Sequence, residues 1–451
     1  MVKVAIIGAG SVSFSASLIQ DFALTKGLAG SQVTFMDIDE TRLDMVYNLA
    51  SRYIKELGME LNLEKTTDRE KAIDGADFVI NTVKVGGYDF MEAERDIAER
   101  HGYYRGIDDK VSDYYGGFAA YKQLKFFLEL AKNVERINPN AWFLQVSNPV
   151  FEGTNIIARE TKLKVAGFCH GAQGYKDIVR VLKLNLEEVE AQVVGLNHCT
   201  WLTKFLYKGR DAYPLIDEWI EKESEKYWKS EEYLRNPWNY HITPAAVEIY
   251  KLYRVFPIGD SVRSVSPWWF NTDLKTKQRW FSSGGPDSEV GWTMYLFRLR
   301  ERLKMMERVA EDPNIIITKQ LPPKPSGEVI VPFIDAVVND KKTKLILNIP
   351  NNGVIEGLPD NVVVEVPVVV GRNGIEREKI GKLPSRLMVH IIIPRWQRME
   401  VILQAFKEGD RTSLLLLLME DHRTKSLEQA ETLIEELLAQ PWNSDMANHY
   451  R

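Results

Sequence analysis

Over roughly its first 170 residues the chain alternates short apolar runs with longer stretches in which apolar residues recur at helical spacing. Val4-Ala5-Ile6-Ile7, Val33-Thr34-Phe35-Met36, Phe78-Val79-Ile80, Trp142-Phe143-Leu144-Gln145-Val146 and Val165-Ala166-Gly167-Phe168 are apolar almost throughout, the pattern of parallel strands covered on both faces. Glu40 to Leu57 and Ala119 to Ile137 instead carry the period of amphipathic helices. Strand and helix in alternation predict an α/β doubly wound sheet, whose ligand crevice lies outside the carboxyl ends of the strands. After about Val193 the rhythm changes. A Trp- and Tyr-rich, largely helical region is expected to about Glu311, then Pro and Gly punctuation with clustered strands, Val362-Val363-Val364-Glu365-Val366 being the clearest. Helices are expected again over Arg386 to Lys407 and Ser426 to Leu438. With no internal repeat or low-complexity tract, the simplest partition is a parallel-sheet domain over 1–193 and a mixed α+β domain over 194–451.

Composition narrows the function. Hydrophobic residues at 45% and charged residues at 27% describe a folding chain and argue against disorder. A net charge of −5, from 58 basic and 63 acidic residues, offers no global field for nucleic acid or an anionic bilayer. The longest greasy run, Ser413 to Met419, falls far short of the roughly 20 residues of a membrane span. Val4 to Ile7 is closed at once by Gly8-Ala9-Gly10 and lacks the pattern of a secretion signal, so a cytoplasmic location is expected. Two cysteines, Cys169 and Cys199, exclude a disulfide scaffold and are expected to be free thiols.

Gly8-Ala9-Gly10-Ser11-Val12-Ser13 follows the first strand and opens a helix, where backbone N–H groups can cradle a pyrophosphate. Asp37 ends the second strand, where a carboxylate accepts from both ribose hydroxyls of NAD and repels a 2′-phosphate. Asp39 is the better candidate for capping the next helix. Together these positions predict a Rossmann-like dinucleotide site. Asn148, in Ser147-Asn148-Pro149, follows another strand and could anchor cofactor or substrate through an amide that donates and accepts; Asn-Pro also makes turns unaided.

Cys169-His170 and His198-Cys199 pair every cysteine with a histidine near a strand end. Cys169 and His198, 198 − 169 = 29 residues apart, converge only through the fold. A thiolate and an imidazole suit a borderline-soft divalent ion with open positions; buried cysteines and a core histidine are the alternative account. Asp260 and Arg263, in Pro257-Ile258-Gly259-Asp260-Ser261-Val262-Arg263, share a face if a helix starts at Gly259, or form a helix cap beside a surface cation. Asp113, among Tyr114, Tyr115, Gly116 and Gly117, could supply an acid beside sugar-stacking rings, or mark a turn over core tyrosines.

The ordered set Ile7-Gly8-Ala9-Gly10-Ser11, Asn148-Pro149, Gly167-Phe168-Cys169-His170-Gly171, Gly195-Leu196-Asn197-His198, Gly259-Asp260-Ser261-Val262-Arg263 and Val331-Pro332-Phe333-Ile334-Asp335 resembles the NAD- and manganese-dependent glycosidases of glycoside hydrolase family 4, over nearly the whole chain. The resemblance implies an architecture like that of lactate and malate dehydrogenases, and a homodimer or homotetramer. It implies NAD held by Gly8, Gly10, Ser11, Val12, Asp37 and Asn148, and Mn²⁺ or another divalent metal held by Cys169 and His198. Asp260 takes the place of the family base, with Asp113 an acid or hydroxyl anchor and Asn148, His170 and Arg263 facing the sugar. The reaction implied is oxidation at sugar C3, loss of the C2 proton, elimination of the aglycone, addition of water and re-reduction.

Cys169-His170-Gly171 looks like the branches that act on non-phosphorylated sugars, so an α-glucoside is expected first and an α-glucuronide or α-galacturonide second. Lys84 and Lys110, if they face the crevice, would favour an anionic C6 group. Pro267-Trp268-Trp269-Phe270-Asn271 lacks the His expected of those relatives, and the loop at Asp109-Lys110 is shortened. An NAD-dependent 2-hydroxy-acid dehydrogenase and a catalytically silent NAD-binding regulator are the competing readings; neither has a use for Cys169, His198 and Asp260 together.

Overall fold

The five apolar runs become the parallel strands of one large sheet. The computed structural model describes residues 2–104, 118–235, 241–262, 267–270, 272–281 and 289–451. In chain order the strands are β1 (Lys3–Ile7), β2 (Gln32–Met36), β3 (Asn62–Thr66), β4 (Phe78–Asn81), β5 (Trp142–Gln145), β6 (Lys164–Gly167), β7 (Val189–Leu196), β8 (Cys199–Tyr207), β9 (Arg210–Asp211), β10 (Phe256–Ile258), β11 (Thr343–Pro350), β12 (Val363–Gly371) and β13 (Gly374–Arg377). They lie in the order β10-β8-β7-β12-β11-β6-β5-β4-β1-β2-β3, with β13 on β12 and β9 on β8. The pairs from β3 to β6 are parallel, as a doubly wound sheet requires.

Helix α1 (Val12–Leu24) leaves β1 through the glycine turn. Helix α2 (Glu40–Leu57) follows β2 with conventional end chemistry: the Asp39 carboxylate accepts from the Arg42 N–H at 3.0 Å, and Gly58 closes it in the left-handed conformation. β3 escaped the sequence pattern because its residues, Asn-Leu-Glu-Lys-Thr, form an exposed polar edge that pairs only with β2.

A correction falls on the segment after Val193. It opens as the antiparallel hairpin β7–β8, before the expected helices begin at Tyr213. Cys199, Thr200, Trp201 and Leu202 are all buried, so the first half of β8 shows none of the polar alternation that marks a half-exposed strand. The helical and parallel parts meet this hairpin through single register pairs, Gly167 with Asn348 and Glu365 with Gly195, Asn348 and Glu365 being partners on β11 and β12. Register partners thus run without a break from Ile7 through Asn81, Gln145, Gly167, Asn348, Glu365, Gly195 and Thr200 to Ile258.

The helix Ile393–Glu408 locks onto the helix Val150–Glu160, which starts directly after Asn148-Pro149. Arg395 pairs with buried Glu152 at 2.7 Å, and Arg159 grips Glu400 with both terminal nitrogens. Removing one partner of the buried pair would strand the other charge, a loss of about 3 to 5 kcal/mol. Among the described residues no helix is long and apolar enough to cross a membrane.

Candidate active site

The glycine turn meets the second strand as expected. Gly8 and Ala9 donate to the Met36 carbonyl, each at 2.9 Å, and the Gly10 N–H donates to Asp37 Oδ2 at 2.7 Å. Asp37 Oδ1 accepts from the Asp39 N–H, so the half-buried carboxylate is held at the mouth of the turn. Gly8 sits at φ +89°, and a Cβ there would fall 2.7 Å from Val83 Cγ2. Only glycine therefore lets β1 and β4 close at this point. Val12 opens α1; Ser11, exposed at its N-cap, makes no side-chain cap bond, and the first turn holds no acidic residue. That leaves the helix N-terminus suited to an anion.

The ends of β4 and β5 are knitted together beside this turn. Ser147 Oγ donates to the Val83 carbonyl at 2.6 Å. Gln123 accepts from the Val85 N–H at 2.6 Å and donates to the Asn148 carbonyl at 2.8 Å, a role that sequence reasoning missed. Asn148 itself is half-buried, and its Oδ1 has no hydrogen-bond partner among the described residues. A buried acceptor left in this way costs about 1 to 3 kcal/mol, which a ligand hydroxyl would return. Lys84 lies with its ammonium 3.8 Å above the Tyr88 ring and 3.3 Å from Met91 Sδ.

Three separate segments meet here: His198 lies against Asp260, and the loop that carries Cys169 packs on the turn that carries Asp260. Asp260 Oδ2 lies 3.2 Å from His198 Nε2. A Cβ on Gly171 would lie 3.5 Å from Cys169 Sγ, 3.6 Å from Gly259 Cα and 3.9 Å from the Asp260 nitrogen, so the Cys-His-Gly loop and the Gly-Asp turn pack backbone against backbone. Gly259, at φ +62°, makes that approach possible: a Cβ would strike the Gly171 carbonyl oxygen at 2.8 Å. Ser261 pins the turn to β8, its hydroxyl accepting from the Thr200 N–H at 2.8 Å and lying 2.9 Å from the Thr200 carbonyl. Thr200 is two residues beyond His198, so one hydroxyl aligns metal-ligand candidate and base candidate.

Beneath them lies a buried polar group that the sequence pattern did not mark as functional. Glu365, 1% exposed on β12, accepts from Asn197 Nδ2 at 3.0 Å. Burial pushes the Cys169 thiol well above the usual range, and the Glu365 charge adds to this; hydrogen bonds from the Gly171 N–H and the Asn197 side chain pull the other way. His170 points outward, 56% exposed, with Nδ1 4.0 Å from Glu328 Oε1. Burial raises the Glu328 carboxyl, the His170 charge lowers it, and Asp21 raises it further. Cys199 is buried away in the core, and both thiols are free.

Asp113, Lys110 and Arg263 lie outside the described residues. Gly259 proves to be a turn residue, with helix beginning at Ser261. Among the described residues no group of three or more His, Cys, Asp or Glu side chains is placed to hold a metal ion. A thiol and an imidazole with positions left open nevertheless fit a catalytic divalent ion better than a structural one. The glycine turn with Asp37, and the unpartnered acceptor of Asn148, fit a dinucleotide and a polyol substrate in the same way.

The family model described as "Family 4 glycosyl hydrolase" matches residues 3–184, and the model of its C-terminal domain matches residues 193–424. An alpha-galactosidase of Bacillus subtilis is 28% identical over 396 residues, covering 86% of this chain and 85% of that protein. An alpha-galacturonidase of Lachnoclostridium phytofermentans is 24% identical over 460 residues, covering 97% and 95%. The crystal structure of a 6-phospho-alpha-glucosidase from gut microorganisms, solved in complex with NAD and Mn²⁺, superposes with a TM-score of 0.79 at 18% identity, over 99% of this chain and 98% of that one.

Proposed function

This chain belongs to family 4 of the glycosyl hydrolases, and from that premise we propose that it hydrolyses non-phosphorylated α-glycosides, an α-glucoside first, with NAD and a divalent metal such as Mn²⁺. The pairing of His198 with Asp260, against which the Cys169 loop packs, carries this reading. When bound, NAD supplies a reversible two-electron oxidation at sugar C3, and the metal supplies Lewis acidity at neighbouring sugar oxygens.

This chain's own residues do the rest. Gly8, Gly10, Ser11 and Val12 receive the pyrophosphate, and Asp37 takes the ribose hydroxyls. Cys169 and His198 hold the metal. Asn148 Oδ1 accepts from a sugar hydroxyl and so orients the ring. Asp260 accepts the C2 proton, because a ketone at C3 makes that proton acidic enough for a carboxylate. Departure of the aglycone from C1, addition of water, return of the C2 proton and re-reduction of the C3 ketone by reversal of the first oxidation would then complete the hydrolysis. His170, exposed at the mouth, and Arg263 belong to the sugar side, and Asp113 to an acid or hydroxyl-anchoring role. The same reading divides the chain into a cofactor part, 1–193, and a part, 194–451, that brings His198 and Asp260. A cytoplasmic homodimer or homotetramer, measurable by light scattering, goes with it.

A uronide is the second reading, and the alpha-galacturonidase likeness favours it. Against it, the Lys84 ammonium is already engaged with Tyr88. The deciding experiment measures kcat/KM for aryl α-glucoside, α-galactoside, α-glucuronide and α-galacturonide with NAD⁺, Mn²⁺ and reductant. A uronide preference of about tenfold, roughly 1.4 kcal/mol, would reverse the order. Release of aglycone from 6-phosphoglucosides alone would overturn the substrate class.

Asp37→Ala is expected to weaken NAD⁺ binding and narrow its preference over NADP⁺. Two hydrogen bonds to a charged group are worth about 1.5 to 3 kcal/mol each, so the loss should reach tenfold or more. Titration calorimetry with both dinucleotides checks this, and equal affinity of the unmodified protein for the two would refute the role of Asp37.

A further inference from the structure

The helix Glu289–Glu311 is fastened at two places. Near its start, the Tyr295 hydroxyl lies 2.6 Å from that of Tyr88, in the first turn of the helix Gly87–Arg100 that follows β4, and the two rings meet edge to face. Near its end it rests on α2: the Val309 carbonyl accepts from Arg52 Nη1 at 2.6 Å, and the Ala310 carbonyl from Asn48 Nδ2 at 2.8 Å. In the sheet, β1 stands between β4 and β2, and the helix also touches α1, which leaves β1. Its middle therefore passes the carboxyl end of β1, where the Gly8–Ser11 turn opens. Arg302 is at that middle, 302 − 295 = 7 residues from Tyr295 and 309 − 302 = 7 from Val309, about 10.5 Å along the axis from each. Seven residues are nearly two whole turns, so the three share a face. It is the covered face: Met306 and Val309 are buried and Tyr295 and Arg302 half-buried, whereas Arg300, Glu301 and Lys304 are exposed. Yet Arg302 has no ion pair and no hydrogen bond among the described residues. Burial alone acts on its guanidinium and lowers it from the usual arginine range. A cation withdrawn from water without a partner is costly, and a leucine would serve packing without that cost.

We propose that Arg302 is a binding residue for the dinucleotide, its guanidinium meeting the pyrophosphate across from the Gly8–Ser11 turn. The turn and the N-terminus of α1 offer backbone N–H groups to one side of that dianion. They bring no cation: α1 contains no lysine or arginine, and Arg42, beside Gly10, is paired with Asp39, Nε to Oδ2 3.4 Å. A guanidinium presents its N–H donors in a planar fork that fits two phosphate oxygens, and its charge offsets part of the dianion's. The same contact accounts for a half-buried arginine with no carboxylate beside it, because the anion is the ligand's own. Arg302 belongs to the part of the chain, 194–451, that also brings His198 and Asp260, so the cofactor is gripped by both parts.

This inference rests on the dinucleotide lying across the Gly8–Ser11 turn, and the experiment separates the two. Calorimetry on the full chain measures the affinities for NAD⁺ and for ADP-ribose, which keeps the pyrophosphate and lacks the nicotinamide. Arg302→Met should weaken both by about 10- to 100-fold, and Arg302→Lys, which keeps the charge and loses the fork, should fall between. The thermal midpoint of the ligand-free chain should not drop in Arg302→Met, since the arginine has no partner in the protein to lose, while the rise in midpoint on adding NAD⁺ should shrink. Unchanged affinities in Arg302→Met would overturn the proposal, as would a lowered ligand-free midpoint with the NAD⁺-induced rise intact, which would make Arg302 a packing residue. Asp37→Ala still weakening NAD⁺ in either case would leave the dinucleotide site standing. Failure of the unmodified protein to bind NAD⁺ or ADP-ribose would overturn both. If Arg302→Met fails to fold, Arg302→Gln is measured in the same way and decides the matter.

Discussion

Asp260→Asn should lower kcat/KM by about 10²- to 10⁴-fold, the range that a positioned general base contributes. It should also stop solvent deuterium from entering C2 of the released sugar. The substitution tests chemistry and not architecture. Asparagine has the shape of aspartate and can still accept from His198 Nε2, which lies 3.2 Å from Asp260 Oδ2. The turn is held independently, by Ser261 on Thr200 and by the close packing of Gly259 on Gly171. What asparagine lacks is an oxygen able to take a proton. Turnover of the unmodified protein in D₂O, with NMR of the product before spontaneous exchange, should show deuterium at C2 and no net reduction of NAD⁺. A product free of deuterium would indicate direct displacement at C1, and exchange persisting in Asp260→Asn would assign the base elsewhere.

Cys169→Ser and His198→Ala should each reduce turnover on the order of a thousandfold or more, because the Lewis acidity they hold in place is worth several kcal/mol. Serine is nearly isosteric, but an alcohol does not become the soft anionic ligand that a thiolate is. NAD⁺ binding should survive in both, since the Gly10–Asp37 contact that shapes that site involves neither residue. In the unmodified enzyme, a chelator or a thiol oxidant should abolish turnover, and Mn²⁺ with reductant should restore it. The check is a turnover titration with Mn²⁺ after chelation; full activity of either variant without added metal would remove these residues from the metal site.

The two halves of the site were not equally legible. Gly8, Gly10 and Asp37 could be placed from sequence because each follows directly on an apolar run, and a strand end is a local property. Asp39 could be assigned its cap for the same reason, and the Arg42 N–H it receives is three residues away. β7 and β8 were hidden because their facing ends, Val193–Leu196 and Cys199–Leu202, are buried throughout and carry no alternation, and so the joint at Asn197-His198 was hidden with them. Glu365 stood in plain view as the single charge in Val362-Val363-Val364-Glu365-Val366, a signal of a buried polar role that a strand assignment alone passes over.

By itself, then, the sequence determined the parallel sheet, the glycine turn, the carboxylate that ends the second strand beside it and the inventory of thiol, imidazole and carboxyl groups, all set by spacing within one element and its turn. Only the tertiary structure decided that His198 meets Asp260, that the Cys169 loop packs on the Asp260 turn because Gly171 and Gly259 permit it, and that Glu365 accepts from Asn197. Those contacts hang on single register pairs between strands far apart in the chain, Gly167 with Asn348 and Glu365 with Gly195. Such pairings are selected by the packing of the whole sheet, and no local periodicity encodes them.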